Sequence, residues 1–481
     1  MKLGELLKKT DVISASADPD SEITGLSYDT RTLRDGELFV AIKGYQQDGH
    51  RYIAEAHMKG AACMICEDIP VISVPYIQVG DARKVLAQIS AAWFGFPAQR
   101  LKITGITGTN GKTTVSNLLK HVTEQVTGKK TGLIGTNFNM IGERELPAGK
   151  TTPESYQLHE LLDAMVREDC EYAVMEVSSH ALSLHRVHGI EFETGIFTNL
   201  TNDHLDFHGT MEEYAAAKAI LFGNCKKAVI NADDRYASVM RPDSGCTVKT
   251  YGVETDSADL KAAGIKYHRA GIEFDIDMNG SLRTVSLPVP GMFSVYNALA
   301  VLAAADLSGF ETAEVIRALG SCRAVKGRAE VIPLDKDFTI LIDYAHTPDA
   351  LENIIRAVRG PAEGRIFTLF GCGGDRDREK RPLMGAAAAK LSDYVIVTSD
   401  NPRTEDPSAI IGEIITGMEG SETPYKIIEN RRDAIHFALT LPGAGDVLIL
   451  AGKGHETYQI LGTEKIHFDE REIVKEFFTV N

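Results

Sequence analysis

Gly108-Thr109-Asn110-Gly111-Lys112-Thr113-Thr114 follows an apolar run over 101–106 and precedes a helix-like stretch over 115–126. Strand, glycine loop and helix in that order form a phosphate cradle, because backbone N–H groups at a helix N-terminus point at the anion. The glycines admit close approach, Lys112 adds a point charge, and Thr113 offers a hydroxyl to Mg²⁺. Five residues rather than four separate Gly105 from Gly111, so the strict phosphate-loop spacing is not met. The physical parts are all present, and ATP is the expected ligand of residues 108–114.

The chain has 481 residues, 43% of them hydrophobic, which is too long for one ordinary core and implies two to four domains. Its net charge of −16 argues against broad contact with nucleic-acid backbones or anionic membranes, while leaving room for a local basic pocket. No apolar run reaches the roughly 18 residues of a membrane span, so no membrane insertion is expected. The first residues carry an early acid and no apolar signal core. Seven scattered cysteines without metal-type spacing read as reduced thiols of a cytoplasmic protein.

Working outward, the fold class is α/β in three domains. Residues 1–98 form a first α/β block with a strand-like run at 36–42 and a helix at 82–93. Residues 99–327 form a central domain on a parallel sheet. Its further apolar runs fall at 172–177, 196–200 and 228–230, with a helix at 295–307 and a hinge at 321–328. Residues 328–481 form a Rossmann-like domain with strands expected at 338–342, 366–370, 394–397 and 447–450. Ligands of such sheets sit at the carboxyl ends of the strands. The polar clusters 343–346, 371–376, 400–403 and 452–456 all fall at such ends, which reads as one assembled site.

Three more stretches carry chemistry. Glu176, in Glu-Val-Ser-Ser-His at 176–180, stands at a strand end and suits a hard cation. His204 lies in Thr-Asn-Leu-Thr-Asn-Asp-His-Leu-Asp at 198–206, a second ligand group. Lys218 sits in an alanine-rich helix, where a lysine is ordinarily a solvated residue.

Together with Asp-Tyr-Ala-His-Thr-Pro at 343–348, these motifs resemble those of the Mur ligases, ATP-dependent amide-forming enzymes of peptidoglycan precursor synthesis. The resemblance extends over essentially the whole chain. It implies that Lys218 is carbamylated and that Lys112, Glu176, His204 and Lys218 form the catalytic group. Thr113, Glu176, His204 and the Lys218 carbamate would hold Mg²⁺. It also implies that Asn297, Arg328 and Asp343 contact the nucleotide. Tyr28, Thr30, Tyr45, Gln46 and Gln47, continued by Thr151, Thr152, Ser178 and Arg186, resemble the uridine-nucleotide site. Lys150 and Leu184 depart from the residues found there in relatives.

Asp400-Asn401-Pro402-Arg403 resembles the signature of family members that select meso-2,6-diaminopimelate. The extra carboxylate of that substrate calls for a guanidinium, and Arg403 and Arg376 supply one. Gly452 and Glu456 would hold the distal ammonium and carboxylate end. The implied partners are UDP-N-acetylmuramoyl-L-alanyl-D-glutamate and diaminopimelate, joined by a monomer through an acyl phosphate. A lysine-adding ligase, a folylpolyglutamate synthase and a non-ligating phosphate-loop ATPase are the competing readings. Arg403 speaks against the first, the uridine motifs against the second, and the number of strand-end clusters against the third.

Overall fold

A computed structural model of the chain describes residues 1–44, 47–242, 245–268, 271–278, 280–360 and 362–480. Two compact units emerge. One comprises Met1–Gly105, Lys129–Gly195 and Ile220–Lys226, the other Ile106–Gly128, Ile196–Ala219 and Lys227–Asn481.

The first unit opens with a five-stranded sheet in the order Val12–Ala15, Tyr76–Val79, Cys63–Cys66, Leu38–Val40, Leu26–Ser27. Only the first pair is antiparallel. The strand expected at 36–42 shortens to Leu38–Val40, because Gly36 holds φ +77° in the turn before it. Helix Ala82–Trp93 has the expected bounds. The Asp81 side chain accepts from the Arg83 and Lys84 N–H groups at 3.0 Å, which starts the helix, and Ala82, Val85, Leu86 and Ile89 face the core. Further on, Tyr172–Glu176 runs parallel to Thr131–Ile134, which continues into the antiparallel strands Phe138–Ile141 and Arg144–Pro147. Helix Ser155–Arg167 packs here, and a Cβ on Gly132 would collide with Met165 Sδ. The glycine sets how closely that helix approaches its strand.

The second unit contains a six-stranded sheet ordered Glu330–Val331, Thr339–Asp343, Val447–Ala451, Ile366–Phe370, Tyr394–Val397, Tyr425–Ile427. All neighbours are parallel except the first pair. Helices Pro348–Arg359, Lys380–Leu391 and Pro407–Thr416 cover one face, and Arg431–Leu439 and Glu470–Val480 the other. Both faces are therefore dry, which is why Val447–Ala451 reads as an unbroken apolar run. The same unit holds the parallel strands Cys225–Asn231 and Thr247–Gly252, its own residues beginning at Lys227, and the buried helix Met292–Leu307. It also holds an antiparallel meander, Leu260–His268, Gly271–Met278 and Ser281–Leu287, absent from the purely alternating α/β expectation. Its signal is in the sequence: Ile272, Phe274, Ile276 and Met278 are buried, and the acids between them face outward. Among the described residues no helix is long and apolar enough to cross a membrane.

His159, in helix Ser155–Arg167, is 2% exposed, and neither ring nitrogen has a hydrogen-bond partner among the described residues. Burial pushes its pKa from 6.5 down to about 4. The unfolded chain thus binds more protons at this residue between those values, and stability falls as pH drops through that window. His159→Leu should remove this part of the loss. Thermal unfolding followed by circular dichroism at pH 7.5 and 4.5 checks it; an unchanged difference in Tm would assign the sensitivity elsewhere.

Candidate functional site

The phosphate loop keeps its shape through contacts made inside the second unit. Gly108 and Gly111 hold φ +145° and +86°. A Cβ on Gly108 would collide with Thr198 Oγ1, and one on Gly111 would lie 2.7 Å from Asn297 Oδ1. Without those side chains, Thr109 N–H reaches the Asn199 carbonyl at 2.8 Å and Asn110 N–H reaches Asn199 Oδ1 at 2.9 Å. Thr198 Oγ1 donates to the Asn110 carbonyl at 2.6 Å. Residues 198–201 are thus a cast of the loop.

Two lysines converge on the same turn. Lys112 Nζ donates to the Gly108 and Thr109 carbonyls at 2.8 and 2.9 Å, and Lys218 Nζ donates to Gly108 O at 2.9 Å. Lys218 is 1% exposed, lies over the Tyr214 ring at 4.5 Å and forms no ion pair among the described residues. Burial, then the charge of Lys112, holds its pKa well below the usual lysine range. Burial disfavours ionised Asp203, but His204, His346, Lys380 and Lys112 outweigh it, and its carboxyl stays below the ordinary range. His204 Nε2 lies 3.4 Å from Asp203 Oδ2.

Beside the loop is a cavity of about 270 Å³ lined in part by Gly111, Thr114, Asn231, Tyr296, Asn297, Arg328 and Asp343. Arg328 donates to Thr113 Oγ1 at 3.0 Å and stacks 4.7 Å from the Tyr344 ring centroid. Burial raises the pKa of Asp343, whose Oδ2 accepts from Ala329 N–H at 2.7 Å. Asn110 Nδ2 donates to Asp349 Oδ2 at 3.0 Å. The nucleotide residues expected from sequence therefore come together. Asn231, Tyr296 and Asp349 line the same cavity and were not singled out from sequence, because lone polar residues on strands and helices carry no motif.

A second cluster in this unit lies at the carboxyl ends of Tyr394–Val397 and Val447–Ala451. Asn401 Nδ2 donates to Glu456 Oε2 at 2.9 Å, and Lys453 Nζ donates to both Asn401 Oδ1 and Glu456 Oε2, at 3.1 and 2.8 Å. Burial opposes the charge on Asp400, yet Lys453 and Arg431 hold its carboxyl below the ordinary range. Its Oδ2 accepts no hydrogen bond among the described residues, and a Cβ on Gly452 would sit 2.8 Å from it. Arg403 holds φ +54° and donates to the Gly374 carbonyl at 2.6 Å. It forms no ion pair among the described residues, and burial followed by the charge of Arg376 depresses its pKa. Arg376 Nη1 donates to the Asp375 carbonyl at 3.0 Å. Behind them the fully buried Arg381 binds Glu405 at 2.8 Å, pulling that carboxyl down to about 2. Neither Lys453 nor Arg381 was singled out from sequence.

The remaining residues belong to the first unit. Glu176 is fully buried, its two oxygens accepting from Thr136 N–H and Oγ1 at 2.9 and 2.8 Å. Thr152 Oγ1 donates to the Glu176 carbonyl at 2.9 Å and accepts from Ser178 N–H at 3.0 Å. Thr151 and Thr136 share a hydroxyl contact at 3.0 Å. Arg186 donates to the Thr152 carbonyl at 3.1 Å and pairs with Glu154 at 2.9 Å. Lys150, the departure noted in sequence, also binds Glu154, at 2.8 Å. Tyr28 donates to Gln157 at 2.8 Å, Thr30 O accepts from Lys59, and Gln47 Oε1 accepts from Tyr52. Tyr45 and Gln46 lie outside the described residues. Among the described residues no group of three His, Cys, Asp or Glu forms a metal cluster.

Three family models match the chain: the Mur ligase family catalytic domain at 22–94, the Mur ligase middle domain at 106–305, and the Mur ligase glutamate ligase domain at 327–454. A UDP-N-acetylmuramoyl-L-alanyl-D-glutamate–2,6-diaminopimelate ligase 1 of Clostridium acetobutylicum is 46% identical, with 99% of each chain covered. The ligase of the same name (without the numeral) from Caldanaerobacter subterraneus is 47% identical over 99% of this chain and 98% of its own. A solved structure of such a ligase superposes with a TM-score of 0.70 at 32% identity, covering 100% and 99% of the two chains. A Mycobacterium tuberculosis folylpolyglutamate synthase shares the fold at a TM-score of 0.66 and 18% identity, covering 77% of this chain and 92% of its own. The chain belongs to the Mur ligase family.

Arg328→Ala removes both the bond to Thr113 and the stack on Tyr344. It should weaken ADP binding about tenfold or more, the scale of roughly 1.4 kcal/mol. Isothermal titration calorimetry checks this; an affinity within twofold of wild type would remove Arg328 from the nucleotide site.

Proposed function

We propose that this chain is an ATP-dependent ligase that joins meso-2,6-diaminopimelate to the D-glutamate γ-carboxylate of UDP-N-acetylmuramoyl-L-alanyl-D-glutamate. Likeness over nearly the full length to ligases bearing that name supports the reaction. One observation carries the choice of amino acid. Among the described residues Arg403 is a half-buried cation without an ion pair, and Asp400 Oδ2, whose charge it feels, is a buried oxygen that accepts no hydrogen bond. A zwitterionic end group supplies both missing partners: its carboxylate to the guanidinium and its ammonium to the Asp400–Glu456 side. A lysine side chain has no carboxylate for Arg403.

In the first step a γ-carboxylate oxygen attacks the γ-phosphorus of ATP, the bond to the β-phosphate oxygen breaks, and ADP leaves. Lys112 and the loop N–H groups oppose the charge that builds on the phosphoryl oxygens. In the second step the uncharged amine attacks the acyl carbon, loses a proton, and the carbon–oxygen bond to phosphate breaks to leave the amide. Asn401, Arg403 and Glu456 orient the amino acid for that attack.

Mg²⁺ fits the donors present. The Thr113 hydroxyl beside the phosphate loop is a hard oxygen of the kind that ion takes, and the family resemblance adds Glu176 and His204 as ligands or ligand-orienters. When bound, the ion neutralises phosphate charge. Lys218 is buried without a carboxylate partner among the described residues, and addition of CO₂ to its amine, with loss of a proton, turns a costly cation into an anionic oxygen donor. We assign residues 1–98 to the uridine-nucleotide substrate, 99–327 to ATP and 328–481 to the amino acid. The seven free cysteines suit a reducing cytoplasm, where the chain acts as a monomer.

Purified protein with ATP, Mg²⁺ and the UDP-dipeptide should form product with diaminopimelate and not with lysine; product from lysine alone would overturn the specificity. Arg403→Ala should raise the KM for diaminopimelate about a hundredfold, the scale of losing a charge-assisted pair. Lys218→Ala should abolish turnover, with partial rescue by formate or acetate. Absence of rescue would count against the carbamate.

A further inference from the structure

We propose that Arg431 is a positioning residue of the amino-acid site, holding Asp400 and Gly452 in register from beneath; this rests on the diaminopimelate reading of that site. The Arg431 side chain opens helix Arg431–Leu439 and is fully buried. Its Nη2 donates to the Ala451 carbonyl at 2.7 Å and its Nη1 to the Ser399 carbonyl at 3.4 Å. Those carbonyls belong to the residues just before Gly452 and Asp400. One planar guanidinium therefore ties together the two strand-end turns that supply opposite sides of the site. Its Nη1 also lies 3.9 Å from Asp400 Oδ2.

The guanidinium is held in turn by Glu470, also fully buried, which accepts from Nε at 2.9 Å and pairs with Nη2 at 2.8 Å. Glu470 opens the helix Glu470–Val480, so the brace passes from one helix start, through the arginine, to two strand ends. Gly452 leaves the space into which a Cβ would bring a carbon within 2.8 Å of Asp400 Oδ2 and 3.9 Å of Arg431 Nη2. Arg431 is thus one layer behind the oxygen that receives the substrate's ammonium, and fixes where that oxygen stands. A buried ion pair of this kind adds little net stability against an apolar pair. What it adds here is geometry: five N–H donors in a rigid fork reach two carbonyls and a carboxylate at once, which lysine cannot do.

The test is steady-state kinetics of the full chain for each substrate in turn, with Tm measured alongside. Arg431→Met, similar in volume, should raise the KM for diaminopimelate tenfold or more and leave the KM for ATP within twofold. Arg431→Lys should restore little of it. Glu470→Gln keeps the shape and removes the charge, and should raise the same KM about threefold. If Arg431→Met does not fold, the Glu470→Gln value decides. A KM for diaminopimelate within twofold of wild type in the folded variants would overturn the role. So would equal rises for all three substrates, which is what loss of general stability produces. Wild-type protein that makes no product with diaminopimelate would instead overturn the reading of the site, and this inference with it.

Discussion

Two missing side chains, at Gly108 and Gly111, let the phosphate loop close onto residues 198–201, and the cavity beside the loop is built on that closure. With a Cβ at either place, Thr198 or Asn297 would have to move, and the bonds from Thr109 and Asn110 to Asn199 would be lost. Because the loop is pinned on that side, its remaining groups turn toward the cavity. Asn110 reaches Asp349 and Thr113 meets Arg328, so the loop, the segment after residue 327 and the helix Pro348–Arg359 act as one surface. The irregular glycine spacing belongs to this fit.

Charge is arranged on the same principle of fixed geometry. The chain is strongly acidic overall, yet cations gather at the phosphate loop and at the strand ends near Arg403. Lys112 and Lys218 crowd one carbonyl, and Arg403 stands half-buried with Arg376 near it. Such like-charged groups are costly unless a ligand completes them, and the folded scaffold holds them in place. Buried pairs provide the stiffness: Arg381 with Glu405 and Glu413, and Arg431 with Glu470. In the first unit, Glu154 does the same for Arg186, and also binds the exposed Lys150.

Much of this was legible from residues alone. The strands Ile366–Phe370 and Tyr394–Val397 and the helix Ala82–Trp93 have the expected bounds, because apolar periodicity and an Asp cap define them locally. The meander over 260–287 carried a period-two signal that the βα alternation overshadowed. Asn231, Tyr296, Asp349 and Arg381 were not legible. Each takes its role from a neighbour tens or hundreds of residues away, and no spacing along the chain encodes that.

By itself, the amino-acid sequence determined the phosphate chemistry, the α/β class and the four strand-end clusters. Local rules govern those features: glycine where the backbone must bend, apolar runs where both faces are covered, polar residues where strands end. Only the tertiary structure decided which charges stay unpaired. Arg403 and Arg381 are both arginines near acids in sequence. The fold gives Arg381 two carboxylates and leaves Arg403 without an ion pair among the described residues, because burial and distance, not order along the chain, set the partners of a charge.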